Sequence, residues 1–223
     1  TLYGKNTTAG AVNITTRQPT FDFEARGEVS IGNLNFRQAK AAVSGPLSET
    51  LAARLALSTT SRRGTVYNVT TDSWIQSQDN TGLRGQLLWR PNGSLDVTLS
   101  GDYSTQDAIC CGSVFVRTGS TQRALTRQYA ALAAAQGYSA VSTNPYDRLS
   151  DLDAPLNAGN VMGGAGLRIK WDAGPGTFTS VTAWRFWDWK PENDRDFTGL
   201  PIVTKSQNPS QQDQYTQEFR YNH

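Results

Sequence analysis

Apolar and polar residues alternate along most of this chain. In the segment from Phe21 to Gly32, every odd position up to Ile31 is apolar or glycine, and every even position up to Ser30 is polar or charged. Alternation with a period of two puts all the apolar side chains on one face of a β-strand. Eight segments of about ten residues follow this pattern, which predicts eight strands. They lie at about 21–32, 36–45, 51–61, 81–90, 94–104, 160–171 and 177–188, and from about 214 onward.

The connections between these predicted strands are alternately short and long. This order is typical of an up-and-down meander, in which tight turns gather at one end of the sheet and long loops at the other. The first connection, at 32–35, is short although it falls on the long side, and we treat it as variation. Residues 122–136 are rich in alanine and other good helix formers, which predicts a short helix. The short connections lie at 46–50, 91–93 and 172–176, and the long ones at 62–80, 105–159 and 189–213.

Two faces of opposite polarity and this order of connections predict an all-β fold, a transmembrane antiparallel up-and-down β-barrel with one face to lipid and the other to a wet lumen. Aromatic residues near strand ends fit the same interpretation, because amphipathic rings collect at membrane interfaces. Trp89 and Trp171 each come just before a short turn, and Tyr103 and Trp187 lie toward the opposite strand ends. In the segment 177–188 both phases contain apolar residues, so its facing stays ambiguous.

The composition of the chain limits the kinds of functional site that it could contain. The chain has 223 residues, a net charge of +2, one His and two Cys, and these two are adjacent. A nearly balanced charge argues against a nucleic-acid-binding surface, and the cysteine and histidine counts argue against a Cys/His metal site. His223 is the one His in the sequence, so it is the one residue that could serve as the histidine of a catalytic triad. We expect no enzyme activity, no catalytic or metal residues and no cofactor.

Two features of the long loops remain. Acidic pairs among Glu192, Asp194 and Asp196 are compatible with cation binding, and we interpret them instead as a solvated loop. Cys110 and Cys111 lie in the longest loop, and thiols outside the cell tend to oxidise. They pair either with each other or with cysteines elsewhere in a longer chain, and we favour a disulfide between the two neighbours.

Residues 2–19 form a compact motif ahead of the first strand. Gly4 and Gly10 permit backbone conformations that other residues resist, Asn6 and Thr7 can bond the backbone locally in turns, and Pro19 ends strand pairing. The motif resembles the end of the plug domain of TonB-dependent outer-membrane receptors, which commonly reads Tyr-Gly-Arg-Asn-Thr-x-Gly-Gly-Ala-Val-Asn-Ile-x-Thr-Lys-x-Pro. The departures are Lys5, Ala9 and Arg17, and the matching residues are Tyr3, Gly4, Asn6, Thr7, Gly10, Ala11, Val12, Asn13, Ile14, Thr16 and Pro19.

Two further stretches support the resemblance. Residues 44–47 and 51–54 resemble the family's first periplasmic turn and third strand, and residues 217–220 resemble a later strand. The resemblance implies a plugged barrel of about 22 strands. Residues 1–19 would be the C-terminal end of the plug, and residues 20–223 the first eight or so strands with extracellular loops at 62–80, 105–159 and 189–213.

The resemblance also implies a function, a location and partners. Members of the family sit in the bacterial outer membrane and take up a scarce nutrient, most often an iron–siderophore complex, with energy from a periplasmic TonB-type protein. Partners would be that protein, an extracellular metal chelate or other nutrient, and outer-membrane lipid, with no nucleic acid. By analogy, the loop residues that could contact the ligand are Tyr67, Trp74, Phe115, Tyr146, Trp189 and Arg195.

Two other functions remain open from the sequence. A passive outer-membrane porin-like or adhesin barrel explains the strands but leaves residues 2–19 without a role. A secreted β-sandwich carbohydrate-active protein explains the aromatics and loops, yet needs a pair of carboxylates in a cleft that the sequence does not locate.

Overall fold

In the computed structural model, which describes residues 14–223, most of the chain forms antiparallel β-strands. The plug-motif residues Tyr3, Gly4, Asn6, Thr7, Gly10 and Asn13 lie outside the described residues. Short helices occur at Leu125–Arg127, Tyr129–Ala135 (α1) and Pro145–Asp147, and α1 falls within the predicted helical stretch. The strands are β1 (Glu24–Gly32), β2 (Phe36–Pro46), β3 (Leu51–Arg62), β4 (Val66–Asn68), β5 (Ser73–Ile75), β6 (Gln78–Asn92), β7 (Leu95–Gln106), β8 (Leu149–Ser150), β9 (Asn157–Asp172), β10 (Thr177–Glu192) and β11 (Ser210–Asn222).

Eight of these strands form one sheet in the order β1-β2-β3-β6-β7-β9-β10-β11. Adjacent strands in this sheet are antiparallel, and they are consecutive in the chain once the short loop strands β4, β5 and β8 are left out. The predicted all-β antiparallel meander is therefore confirmed. The sheet is open, with β1 and β11 at its edges, and its closure into a barrel stays a prediction.

Strand register divides the sheet into two faces. One cross-strand row joins Leu57 of β3, Leu83 of β6 and Tyr103 of β7. The neighbouring row joins Ala56, Arg84 and Asp102 of the same three strands. Because neighbouring residues in a strand point to opposite faces, these two rows belong to different faces. The apolar face carries Leu55, Leu57, Leu83, Leu87, Trp89, Leu99, Tyr103, Leu167, Trp171, Trp184 and Phe186. The polar face carries Arg26, Lys40, Arg54, Arg84, Gln86, Asp102, Arg168 and Arg185.

No segment within residues 14–223 covers the apolar face. Leu55, Leu99 and Trp171 are each about half exposed, at 51%, 50% and 51%. In β10 and β11 a few polar residues share this face and bond to one another. Gln217 donates from Nε2 to Ser180 Oγ at 3.0 Å and accepts from Thr182 Oγ1 at 2.5 Å, so these groups satisfy part of their hydrogen-bonding capacity with one another.

The segment before β1 crosses the polar face at the end of the sheet that carries the short turns. Pro19 is buried, and Thr20 donates from its backbone N–H to Ser44 Oγ at 2.9 Å. Thr98 Oγ1 donates to Gln18 Oε1 at 3.4 Å, and the Arg90 guanidinium lies 5.5 Å from the centre of the Phe21 ring. These contacts hold the entering chain against the polar side of the sheet.

A small hydrophobic core lies among the long loops. Val66, Ile75 and Leu152 are buried together, with Val114 and Leu156 packed against them. They join β4, β5 and β8, which form a three-stranded sheet in the order β5-β4-β8 with β4 and β8 parallel. None of the helices within residues 14–223 is long and apolar enough to cross a membrane.

Candidate functional site

An ion-pair cluster lies at the centre of the polar face. Asp102 accepts from Arg84 Nη1 at 2.9 Å with one carboxylate oxygen and from Arg185 Nη1 at 2.6 Å with the other. Bonds between a guanidinium and a carboxylate are stronger than neutral hydrogen bonds. All three side chains keep contact with solvent, so the cluster presents two fixed guanidinium groups to whatever occupies this side of the sheet.

Small residues open a trough beside this cluster. Ala42, Ala56 and Gly164 lie in the same cross-strand row as the charged residues, and a Cβ at Gly164 would overlap the Trp184 carbonyl oxygen. The cavity that Ala42 and Ala56 line has a volume of about 1000 Å³. Its charged lining residues are Arg26, Glu28, Lys40, Arg84, Asp102 and Arg185. Four cations against two carboxylates make the trough attractive to anionic groups.

Two of the predicted ligand-contacting residues meet in the loops. The rings of Tyr67 and Trp74 lie 5.3 Å apart, and the Arg63 guanidinium covers the Trp74 ring at 4.0 Å. Together with Leu34 and Arg148 they line a cavity of about 440 Å³. We call Arg63, Tyr67 and Trp74 the aromatic platform.

The hydroxyl group of Tyr67 is also engaged. It donates to the Asp72 carboxylate. This hydrogen bond raises the pKa of the Tyr67 phenol above its usual range, and desolvation and the carboxylate charge act in the same direction. The hydrogen bond therefore joins the end of the Tyr67 side chain to the turn between β4 and β5.

The other four predicted contacts do not join this platform. Phe115 stacks on Tyr129 with ring centres 5.5 Å apart, and Tyr146 is 88% exposed. Arg195 is exposed in its loop. The prediction that Trp189 lies in a loop is wrong, because β10 continues to Glu192 and its register places Trp189 on the polar face.

The predicted interface aromatics divide between the two faces. Trp89 and Trp171 lie on the apolar face at the short-turn end, and Tyr103 lies on that face toward the other end. Trp187 does not share this face. It stands in the same row as Met162 and Ser104 and stacks on Trp189, with ring centres 5.6 Å apart. The interpretation of Trp187 as a partner of the other three is therefore corrected.

Three carboxylates meet where two long loops touch. Ligand oxygens of Asp153, Asp194 and Asp196 lie within 4.8 Å of one another. Asp194 is only 1% exposed, so the interpretation of this stretch as a solvated loop is wrong for that residue. Burial raises the pKa of Asp153, and the charges of Asp194 and Asp196 raise it further.

Backbone hydrogen bonds account for the carboxylate cluster. Asp194 accepts four N–H groups, from Asp153, Ala154, Asp196 and Phe197. Carboxylates of this kind are suitable calcium ligands. Both oxygens of Asp194, however, already accept backbone N–H groups from the two loops. We assign this cluster a structural role as a loop fastener.

Cys110 and Cys111 form a disulfide with each other. The following residue, Gly112, is buried, and a Cβ there would overlap Ile75 Cδ1. The disulfide thus lies directly beside the loop core.

The comparisons with known proteins add no assignment. A search against protein-family models found no match, and no solved structure matches the chain.

Proposed function

We propose that this chain is part of an outer-membrane receptor similar to the TonB-dependent family, in which residues 1–19 end the plug and residues 20–223 form the first eight strands of a barrel of about 22. Its role would be the energised uptake of a scarce nutrient, and the nutrient that we propose is an iron–siderophore complex. The mechanism is binding followed by gating, with no covalent chemistry.

One observation carries the proposal: the eight-stranded sheet has an exposed apolar face and a charged opposite face. Soluble proteins rarely expose a continuous apolar surface of this extent. A lipid bilayer covers such a surface without any protein partner, and a water-filled lumen solvates the charged face. A sandwich protein would place the apolar face inside, against a second sheet.

The dimensions of the apolar face support the same proposal. On β9 it runs from Val161 to Trp171. At about 3.3 Å per residue this stretch is about 36 Å long, and a tilt of about 45° gives a height of about 25 Å, the height of a bilayer-facing band. Trp89 and Trp171 lie at one border of the band, where interface aromatics are expected.

The path of residues 18–21 favours a receptor over an empty pore. This segment approaches β1 along the polar face, held by Ser44 and Thr98. A chain that arrives from the lumen side at the short-turn end is what a plug inside the barrel requires. The porin-like alternative gives this segment no role.

In the proposed mechanism, the ligand binds at the loop end, where the aromatic platform lines a cavity. The periplasmic TonB-type protein then rearranges the plug, and the ligand passes along the polar face. There the paired guanidiniums of Arg84 and Arg185 would contact anionic groups on it.

Energised uptake by cells that carry the full-length gene tests the proposal. The panel comprises iron–siderophores, haem, cobalamin and oligosaccharides, each with and without an uncoupler of the membrane potential. We expect uptake of one ligand that disappears with the uncoupler. Uptake of many small solutes that ignores the uncoupler would instead indicate a passive pore, and a protein that stays soluble without detergent would indicate the secreted β-sandwich.

A further inference from the structure

We propose that the Cys110–Cys111 disulfide is a thiol-exchange site whose opening releases the 109–113 segment and loosens the aromatic platform. The inference rests on the loop contacts alone and does not need the proposed uptake function.

The two sulfurs differ in access. Cys110 is half-buried, whereas Cys111 is exposed and adopts a φ of 73°. The left-handed region is disfavoured about tenfold for residues other than glycine. In Cys111 this conformation occurs together with the ring that joins the two neighbouring cysteines.

Hydrogen bonds on both sides of the ring attach it to the residues after β5. The N–H of Ser77 donates to the Ile109 carbonyl at 3.1 Å, and the N–H of Ile109 donates to Ser77 Oγ at 3.0 Å. Beyond the ring, Gln76 Nε2 donates to the Gly112 carbonyl at 2.6 Å. These contacts need residues 109 and 112 at a fixed separation, which the ring maintains.

A packing contact connects the ring to the aromatic platform. Gly112 packs closely against Ile75, which is 2% exposed in the loop core. Ile75 follows Trp74 in β5, and its carbonyl accepts the N–H of Thr65 at 3.0 Å. β5 in turn pairs Trp74 with Tyr67 of β4. Loss of the contact at Gly112 therefore loosens the strand that carries Trp74.

The chemistry is thiol–disulfide exchange. The thiolate of an external dithiol attacks the exposed Cys111 Sγ, the bond between the two cysteines breaks, and Cys110 leaves as a thiolate that takes up a proton. Cys111 then carries a mixed disulfide. The second thiol of the reagent attacks this bond, which leaves two protein thiols and a cyclic oxidised reagent.

Hydrogen exchange of the full-length protein, with and without dithiothreitol, tests the proposal. We expect the amides of Thr65, Ser77 and Ile109 to exchange at least tenfold faster after reduction, because local opening sets their rates. The amide of Leu99, in the centre of the sheet, should not change. Removal of the reductant and reoxidation should restore the original rates.

A double variant, Cys110→Ser with Cys111→Ser, is the matched control. It should show fast exchange at the three loop amides under both conditions, with no response to dithiothreitol. Equal protection in oxidised and reduced wild type would overturn the proposal. So would a response to dithiothreitol that persists in the double variant. Because the first comparison uses only wild-type protein, the test survives if the variant does not fold.

Discussion

Replacement of Asp194 by alanine should release the two long loops from each other. The Asp194 side chain accepts backbone N–H groups from Asp153 at 3.2 Å, Ala154 at 3.4 Å, Asp196 at 3.1 Å and Phe197 at 2.8 Å. The first two amides belong to the segment after β8, and the last two follow β10. One buried carboxylate thus joins segments that are about forty residues apart in the chain.

The size of the effect follows from the donors that lose their partner. A buried donor without an acceptor costs about 1–3 kcal/mol. If water reaches two of the four amides in the variant, two stay unpaired, and the loops lose about 2–6 kcal/mol. Since about 1.4 kcal/mol corresponds to a factor of ten, the lower figure predicts about 30-fold faster exchange of these amides.

Hydrogen exchange of full-length Asp194→Ala protein, read by mass spectrometry on peptides that contain residues 153–154 and 196–197, measures this effect. Asp172→Asn is the matched control, because Asp172 accepts the N–H of Gly174 in an exposed turn. We expect little change in the exchange of the four loop amides in Asp172→Asn. Exchange of the four loop amides within threefold of wild type would refute the fastener role of Asp194.

Three further predictions concern the same loops. Burial and nearby carboxylates raise the pKa of Asp153, so its contribution to stability is full at low pH and declines as pH rises through the folded-state pKa. Hydrogen exchange of the loop amides should therefore be slower in Asp153→Asn than in wild type at pH 7, and equal in the two proteins at pH 3. Gly112→Ala would push a methyl group into Ile75, so faster exchange of the Thr65 amide is expected, and unchanged exchange would contradict the packing contact. Burial and a hydrogen bond to Asp151 at 2.6 Å raise the pKa of Tyr138 well above its usual range, so an ultraviolet titration to pH 11 should give the same number of ionised tyrosines in wild type and Tyr138→Phe, and one fewer in the variant would contradict it.

The strands of the large sheet were predictable because each is long and alternates. In β3, the pattern of Leu55 and Leu57 against Arg54 and Ser58 already separates the faces. β10 was ambiguous because Trp184 and Trp187 put large rings in opposite phases. Only pairing with β9 assigns Trp184 to the apolar face and Trp187 to the polar face.

The short loop strands could not be predicted from local pattern. β4 and β5 have three residues each, too few for a period to show. Their stability comes from distant partners, such as the bond from Asn68 Nδ2 to the Leu152 carbonyl at 2.8 Å.

The candidate site was predictable only in part for the same reason. Tyr67 and Trp74 were found as loop aromatics, but their contact with each other depends on the β4–β5 pairing. The burial of Asp194 depends on residues 153–154, and nothing in its charged local sequence indicates it. Arg84 and Asp102 lay on the polar phase of their predicted strands, whereas Arg185 lay in the ambiguous segment 177–188, and only strand order brings the three together.

The central claim is that the apolar face contacts lipid and the polar face contacts water. Leu99 and Ser100 are neighbours in β7 on opposite faces, with Leu99 50% exposed. The measurement is the fraction of full-length protein that inserts into lipid vesicles, for Leu99→Arg and Ser100→Arg in parallel. An arginine facing the middle of the bilayer costs about 2–4 kcal/mol, so we predict an insertion equilibrium at least about 30-fold lower for Leu99→Arg and nearly unchanged for Ser100→Arg. Equal insertion of both variants, or a defect confined to Ser100→Arg, would contradict the account.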